Sequence, residues 1–248
     1  MVQKILVVDD EENIRFTFDA FLSDAGYQVA TAASLTECMK MLENERFDLL
    51  FLDILLGRDN GLEVLRRVKE IDPNCPVVMI TGAPQVETAA EAVRCGAFDY
   101  IPKPVRQQEL LRVAVTALEH KLVIDQKETF RLRMEAVFRC VNDGIVIFNQ
   151  ELQVVEINAA AQRIFGSNAA VLGKSLAELT EADCGYLKRF EQLIAARGET
   201  EIYRYELNAA ADHRILSLSV TALTTLSGKE QGLVMIVRDE TTVADSRV

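Results

Sequence analysis

The chain has 248 residues, 49% of them hydrophobic and 26% charged, which suits one large or two ordinary folded domains and argues against disorder. Its net charge of −11 argues against a broad nucleic-acid or anionic-membrane surface, because phosphate is held by clustered Lys and Arg. Five scattered cysteines (Cys38, Cys75, Cys95, Cys140, Cys184) form no CxxC pair, and with only His120 and His213 beside them they argue against a zinc site and for reduced, mostly buried thiols.

The start, MVQKILVVDD, runs straight into an apolar strand and lacks a signal peptide's apolar stretch and cleavage site; nowhere do 18 uncharged apolar residues run together. A soluble, cytoplasmic protein without membrane contact is expected.

From residue 4 to about 104, β-rich runs alternate with helical patterns. The runs are KILVV (4–8), YQVAT (27–31), DLLFL (48–52), PVVMI (76–80) and FDYI (98–101), with amphipathic stretches near 12–25, 35–45, 61–71 and 86–95. Strands apolar on both faces, each followed by a helix, predict an α/β doubly wound, five-stranded parallel sheet. Ligands of such sheets sit at the carboxyl ends of the strands.

After Pro104 the pattern changes. No Gly or Pro interrupts 107–141; Leu111, Val115, Leu118 and Leu122 follow a 4-3-4 spacing, and Phe130, Met134, Val137 and Val141 repeat it in a shifted phase. One long helix or two abutting ones fit this pattern. The narrow apolar stripe between charged flanks suits a coiled-coil seam better than a buried core helix, with a stutter near Gln126.

From Asp143 the chain reads β again. GIVIFN (144–149) and LQVVEI (152–157) make a hairpin, helical segments including LKRFEQLIAA (187–196) follow, and ETEIYRYEL (199–207), HRILSLSVTAL (213–223) and GLVMIVRD (232–239) close the domain, the last two joined by a turn at Ser227-Gly228-Lys229. The expectation is an α+β domain with an antiparallel sheet.

The chemistry gathers in the first half. Asp9 and Asp10 follow the first strand, Asp53 the third, Thr81 the fourth and Lys103 the fifth. Each falls at a strand's carboxyl end, so the fold would collect them in one crevice. Three carboxylates together repel unless a cation sits among them, and an oxygen-only site with few protein ligands is what Mg²⁺ takes. A hydroxyl and an ammonium added to it can hold a phosphoryl group. Taken singly, a strand-end Asp is usually a helix cap and a Lys usually solvated; the five together are specific.

Through VVDDEE (7–12), DILLGRDNGLEVL (53–65), MITGA (79–83) and FDYIPKP (98–104), residues 1–120 resemble the receiver domain of two-component response regulators. The resemblance implies that Asp53 is the phospho-acceptor and that Asp10 is the main side-chain Mg²⁺ ligand, with Asp9 acting mostly through water and the main-chain carbonyl of Leu55 completing the protein's contacts. It further implies that Thr81 and Tyr100 form a switch pair, that Lys103 pairs with the phosphoryl group, and that the bond from Lys103 to Pro104 is cis. Leu55 and Ala83 stand where fast-resetting receivers carry groups that orient an attacking water, so a phosphoaspartate lasting minutes or longer is expected.

Through NDGIVIFNQELQVVEINAAAQRIFG (142–166), VLGKSL (171–176) and MIVRDETT (235–242), residues 131–241 resemble a PAS domain. That implies that Asn158 starts the first short helix as its N-cap, and that Asp239 and Thr241 hold the base of the next one, with 242–248 beginning a C-terminal helix or tail. Cys184 lies in EADCGYL, outside the Asn-Cys-Arg motif of flavin-photoadduct versions, and the 184–197 stretch holds no axial His for haem. The PAS domain is therefore read with no ligand or an unknown one.

The combined expectation is a signalling protein, not an enzyme with a free substrate. It takes its phosphoryl group from a sensor histidine kinase or phosphotransfer protein, and passes the signal through the 107–141 helix to the PAS domain. A homodimer would form through the helical linker, through the face of the fourth helix, fifth strand and fifth helix, or both. No P-loop, basic helix-turn-helix or other nucleic-acid contact is visible. The rival readings are a PAS-based small-molecule sensor, and a fragment of a larger hybrid kinase or transcriptional regulator; the end at Val248 favours the fragment over a complete chain.

Overall fold

The continuous apolar runs of the first half become strands buried on both faces. The computed structural model describes residues 2–57, 59–82, 86–165, 171–175, 202–209, 212–225 and 227–240. The chain divides into two units, Met1–Phe130 and Arg131–Val248.

In the first unit β1 (Lys4–Val8), β2 (Gln28–Ala32), β3 (Leu49–Asp53), β4 (Val77–Thr81) and β5 (Asp99–Pro102) form one sheet in the order β2-β1-β3-β4-β5, every pairing parallel. Period-2 alternation sorts the side chains. Leu6, Val8, Leu50, Leu52, Val77 and Met79 face α2 (Leu35–Asn44), α3 (Gly61–Ile71) and α4 (Val86–Arg94). Ile5, Val7, Leu49, Phe51, Val78 and Ile80 face α1 (Glu12–Asp24) and the start of α5 (Gln107–Cys140), where Phe18 and Phe51 meet edge-on at 5.9 Å. This is the doubly wound architecture that the strand–helix alternation predicts.

Strands β2 to β5 each sit one residue later than their apolar runs. The ladder continues for as long as a neighbour offers hydrogen-bonding groups, whatever the side chain: Ile54 N–H donates to the Ile80 carbonyl at 2.9 Å. Asp53 and Thr81 are thereby the last residues of their strands, held by main-chain pairing. A two-stranded hairpin, Leu55–Leu56 with Asp59–Asn60, follows β3 and was not anticipated. Asn60 then caps α3, its Oδ1 accepting from Leu62 N at 3.0 Å.

The 107–141 pattern resolves as one helix, α5. Its buried residues are Leu110, Val113, Ala114, Ala117, Leu118 and Lys121, so the first four turns pack in the receiver-like unit. Of the first-phase stripe, Leu118 is buried within this unit, while Val115 and Leu122 are exposed, because the sheet takes the broad face of the helix and leaves its edge outside. The second-phase residues Phe130, Met134 and Val137 are exposed, as are Val123 and Leu132.

Of the four described cysteines, Cys38 and Cys75 are buried, Cys95 is half-buried and Cys140 is exposed, so "mostly buried" overstates the case. Burial pushes the thiols of Cys38 and Cys75 up to about 12 from 9.0, leaving each roughly a thousandfold less thiolate near neutral pH. Brief alkylation of native protein is expected to label Cys140 first and Cys95 more slowly, sparing Cys38 and Cys75 until the domain unfolds. Peptide mass mapping checks the order.

In the second unit β6 (Gly144–Phe148), β7 (Val154–Ile157), β8 (Ile202–Ala209), β9 (Asp212–Thr224) and β10 (Glu230–Asp239) form an antiparallel sheet in the order β8-β9-β10-β6-β7. Its buried face carries Val146, Phe148, Leu216, Leu218, Val220, Leu233, Met235 and Val237, and α6 (Ala159–Phe165) packs Ala161, Ile164 and Phe165 against it. The β9–β10 hairpin closes as expected: Thr225 N–H donates to the Lys229 carbonyl at 2.8 Å and Gly228 takes a φ of 77°. Ala83, Cys184, the 187–196 helix, Thr241 and 242–248 lie outside the described residues, as does the side chain of His213.

Candidate functional site

The parallel order places the ends of β1, β3, β4 and β5 side by side. Asp9 follows β1, its N–H donating to the Ala32 carbonyl at 3.1 Å, and is fully buried. Asp53 ends β3 and is 5% exposed; Thr81 ends β4 and is 2% exposed. Lys103 follows β5, and its N–H donates to the Thr81 carbonyl at 2.7 Å. One carboxylate oxygen from each of Asp9, Asp10 and Asp53 lies within 4.8 Å of the others. The structure brings Asp9, Asp10, Asp53 and Lys103 together, with Thr81 at the adjoining strand end.

The Lys103 ammonium is the counter-charge. Its Nζ lies 2.7 Å from Asp53 Oδ2, 2.9 Å from Asp9 Oδ2 and 3.0 Å from Glu11 Oε1. Burial works against its charge, but the facing carboxylates, Asp53 first, outweigh that and raise its pKa above the ordinary lysine value. Asp9 goes the other way. Burial raises its carboxyl, Lys103 and the Glu11 amide pull it down without cancelling that, and the charge of Asp53 adds to the rise.

Backbone donors set the carboxylates. Glu11 N–H donates to Asp9 Oδ1 at 2.9 Å and Leu55 N–H to Asp53 Oδ1 at 3.2 Å. Arg15, one turn into α1, donates to the Asp9 carbonyl at 2.6 Å. Gly61 opens α3 against the strand end, its N–H donating to the Ile54 carbonyl at 2.8 Å, and a Cβ there would collide with the Asp53 carbonyl oxygen. The Lys103–Pro104 bond is cis, as the resemblance implies.

Whether these residues suit a divalent cation turns on Asp9 Oδ2. It is buried and accepts no hydrogen bond, its contact with Lys103 being an ion pair without hydrogen-bond geometry. An oxygen left so, beside two further carboxylates and no sulfur or imidazole, fits a hard cation such as Mg²⁺. Asp9, Asp10 and Asp53 would hold it.

Tyr100 is half-buried and packs against the core on the α2–α4 side, with its hydroxyl 3.5 Å from Thr88 Oγ1 on α4. Glu11, Arg15 and Gly61 were missed as site residues. Glu11 was legible in principle within VVDDEE, whereas Arg15 and Gly61 are recruited by helix geometry that the sequence does not display.

In the second unit Asn158 is 2% exposed and uses its whole amide. Oδ1 accepts from Ala161 N at 2.8 Å, the expected N-cap, and from Ile145 N at 2.9 Å; Nδ2 donates to the carbonyls of Asp143 at 2.9 Å and Phe138 at 3.1 Å. Beside it Arg238 forks onto Asp143, with Nη2 at 2.7 Å and Nε at 3.1 Å. That hydrogen bonding holds the Asp143 carboxyl below the usual carboxylate range. Asp239 ends β10, paired in register with Leu216.

An acidic crevice over such a sheet, closed by a lysine before a cis proline, defines a receiver domain. Residues 5–115 match the family model of the response regulator receiver domain, and residues 138–245 match that of the PAS fold. The chain belongs to the two-component response regulators, as a receiver domain followed by a PAS domain. It is 35% identical over 189 residues to the alginate biosynthesis transcriptional regulatory protein AlgB of Pseudomonas putida, covering 75% of this chain and 41% of the relative. It is 33% identical over 175 residues to the nitrogen assimilation regulatory protein NtrX of Azorhizobium caulinodans, covering 69% and 37%. A crystal structure of NtrX from Brucella abortus is similar at 38% identity and a TM-score of 0.51, over 54% of this chain and 30% of that one. The chain thus spans about two fifths of the length of the curated relatives it matches. Among the described residues no helix is long and apolar enough to cross a membrane.

Proposed function

We propose that this chain is a phosphoryl acceptor of a cytoplasmic two-component relay, charged on Asp53 by a sensor histidine kinase or phosphotransfer protein. The observation that carries the reading is the convergence of Asp9, Asp10, Asp53 and Lys103. An Asp53 carboxylate oxygen attacks phosphorus; the O–P bond forms as the donor's N–P bond breaks, and the electron pair returns to the donor imidazole, which takes up a proton. Asp10, Asp53 and the Leu55 carbonyl, with Asp9 mostly through water, would hold Mg²⁺, which would neutralise phosphoryl oxygen charge. Lys103 moves from carboxylate to phosphoryl oxygen. Thr81, at the adjoining strand end, offers a hydroxyl to the same group, and Tyr100 follows as that hydroxyl turns. No free substrate is turned over.

The signal leaves through α5. Leu122, Val123, Phe130, Met134 and Val137 lie exposed on its second half, an apolar stripe left in water. A second copy presenting the same stripe would bury it as a coiled coil, and phosphorylation would bias that pairing through the face of α4, β5 and α5. Asp239 and Thr241 would pass the change onward. Since AlgB is called a transcriptional regulatory protein, control of transcription is the output this reading favours. Labelling by acetyl phosphate with Mg²⁺ tests acceptance. Sedimentation velocity tests pairing: a concentration-dependent dimer that Phe130→Glu and Val137→Glu dissolve is expected, and a monomer throughout rejects the coiled coil.

A further inference from the structure

Arg15 stands where simple electrostatics would not put it. It lies in the first turn of α1, where the helix dipole disfavours a cation, and it is half-buried. The ion pairs of the acidic crevice run to Lys103, from Asp9, Glu11 and Asp53. Arg15 Nη1 donates instead to the main-chain carbonyl of Asp9, at 2.6 Å, which it reaches because helical side chains slant toward the N-terminus. That bond completes the fastening of Asp9, whose N–H donates to the Ala32 carbonyl at 3.1 Å and whose Oδ1 accepts from Glu11 N at 2.9 Å. The Asp9 carbonyl is one end of a planar peptide, and the Asp10 amide is the other. Holding the carbonyl therefore fixes the direction in which the Asp10 side chain leaves the backbone. Asp10 has most need of this: Asp9 and Asp53 are buried and Asp10 is exposed, so packing does not hold its carboxylate over the crevice.

We propose that Arg15 is a positioning residue: through the Asp9 carbonyl it sets the Asp9–Asp10 peptide so that the Asp10 carboxylate faces a divalent cation together with those of Asp9 and Asp53. The inference rests on the phospho-acceptor reading only in taking the acidic cluster as a divalent-cation site. The two effects that Arg15 can have there differ in sign. A positive charge beside a cation site repels the incoming ion, so as a charge alone Arg15 weakens binding, and its removal tightens binding by about twofold at this range in dilute salt. As the partner that orients a ligand it strengthens binding, and its removal costs roughly tenfold. The direction of the change therefore separates the two.

The test is Mn²⁺ binding to the full chain without any phosphoryl donor, read from the free-ion signal in an electron paramagnetic resonance titration, in dilute buffer and again at high salt. Arg15→Met keeps an apolar stem and loses the charge and the donors, and is expected to raise the Kd roughly tenfold under both conditions. Arg15→Lys keeps the charge and offers a donor to the same carbonyl, and is expected to stay within about threefold of the wild type. Phe16→Ala, at an exposed neighbour on α1, is expected to change the Kd by less than about twofold. With acetyl phosphate, Arg15→Met is expected to need roughly tenfold more Mg²⁺ for half-maximal labelling and to approach the wild-type rate at saturation. A tighter Kd in Arg15→Met that high salt abolishes makes Arg15 a bulk charge and overturns the proposal. A lower urea midpoint with an unchanged Kd makes it a plain anchor of α1 and overturns the proposal too. Either result, with one Mn²⁺ bound saturably by the wild type, leaves the acceptor reading intact. No binding by the wild type overturns both.

Discussion

Replacing Asp53 with asparagine is expected to abolish labelling of the chain by acetyl phosphate and Mg²⁺, by more than about a thousandfold, because an amide oxygen is no nucleophile toward phosphorus at neutral pH. The substitution is close to isosteric. It retains an acceptor for the Leu55 amide, which bonds Asp53 Oδ1 at 3.2 Å, so the loss reports chemistry and not unfolding. Lys103 loses its 2.7 Å charged partner but keeps Asp9 and Glu11. Phosphate incorporation measured on intact protein by mass spectrometry, with the far-ultraviolet dichroism unchanged, checks the expectation. Labelling that survives in Asp53→Asn moves the acceptor to another residue and rejects the assignment.

The second large effect concerns the PAS domain. Asn158→Ala deletes an amide that satisfies two N–H groups and two carbonyls at 2.8 to 3.1 Å. At 2% exposure, water cannot replace those partners without opening the joint. Four backbone groups left partly unsatisfied are expected to cost about 3–5 kcal/mol, read as a lower urea midpoint for the second transition with the receiver transition unmoved. Asn158→Ser restores the cap on Ala161 alone and is expected to recover about 1 kcal/mol. Close packing adds to the cost of any local shift, since a Cβ on Gly144 would stand 2.9 Å from Ala161 Cα. A loss below about 1 kcal/mol for Asn158→Ala would mean that this amide is not what ties the end of α5 to β6 and α6.

The two domains were unequally legible. In the receiver, apolar runs bounded by polar residues mark strands whatever their neighbours are, and the chemistry-bearing residues sit where those runs stop. In the PAS domain the short hairpin and the last two strands carry the alternating pattern of a sheet with one face buried, and β6 shows it residue by residue, with Gly144, Val146 and Phe148 buried between half-buried Ile145 and Ile147. The role of Asn158 as a cap was readable from its place before AAAQRIF, but its bonds to Phe138 and Asp143 were not, because they join residues 20 and 15 positions away. The stripe on α5 was read as a coiled-coil seam in two phases, and the sheet claims one face of the helix up to Lys121 while Phe130, Met134 and Val137 stay exposed. Periodicity reports that a helix has an apolar side and is silent on what covers it.

By itself, then, the amino-acid order determined the strands and helices of the main sheets, the doubly wound parallel sheet, the placing of Asp9, Asp53, Thr81 and Lys103 at or just past strand ends, and the antiparallel fold of the second half. These follow from local pattern and from the rule that parallel strands bring their carboxyl ends to one edge. Tertiary structure alone decided that the Lys103 ammonium meets three carboxylates at once, that Asp9 is fully buried among them, that Arg15 and Gly61 belong to the site, and which face of α5 is used. Each depends on distances of a few ångströms between residues remote in the chain, and hydrogen bonds and burial act on that scale.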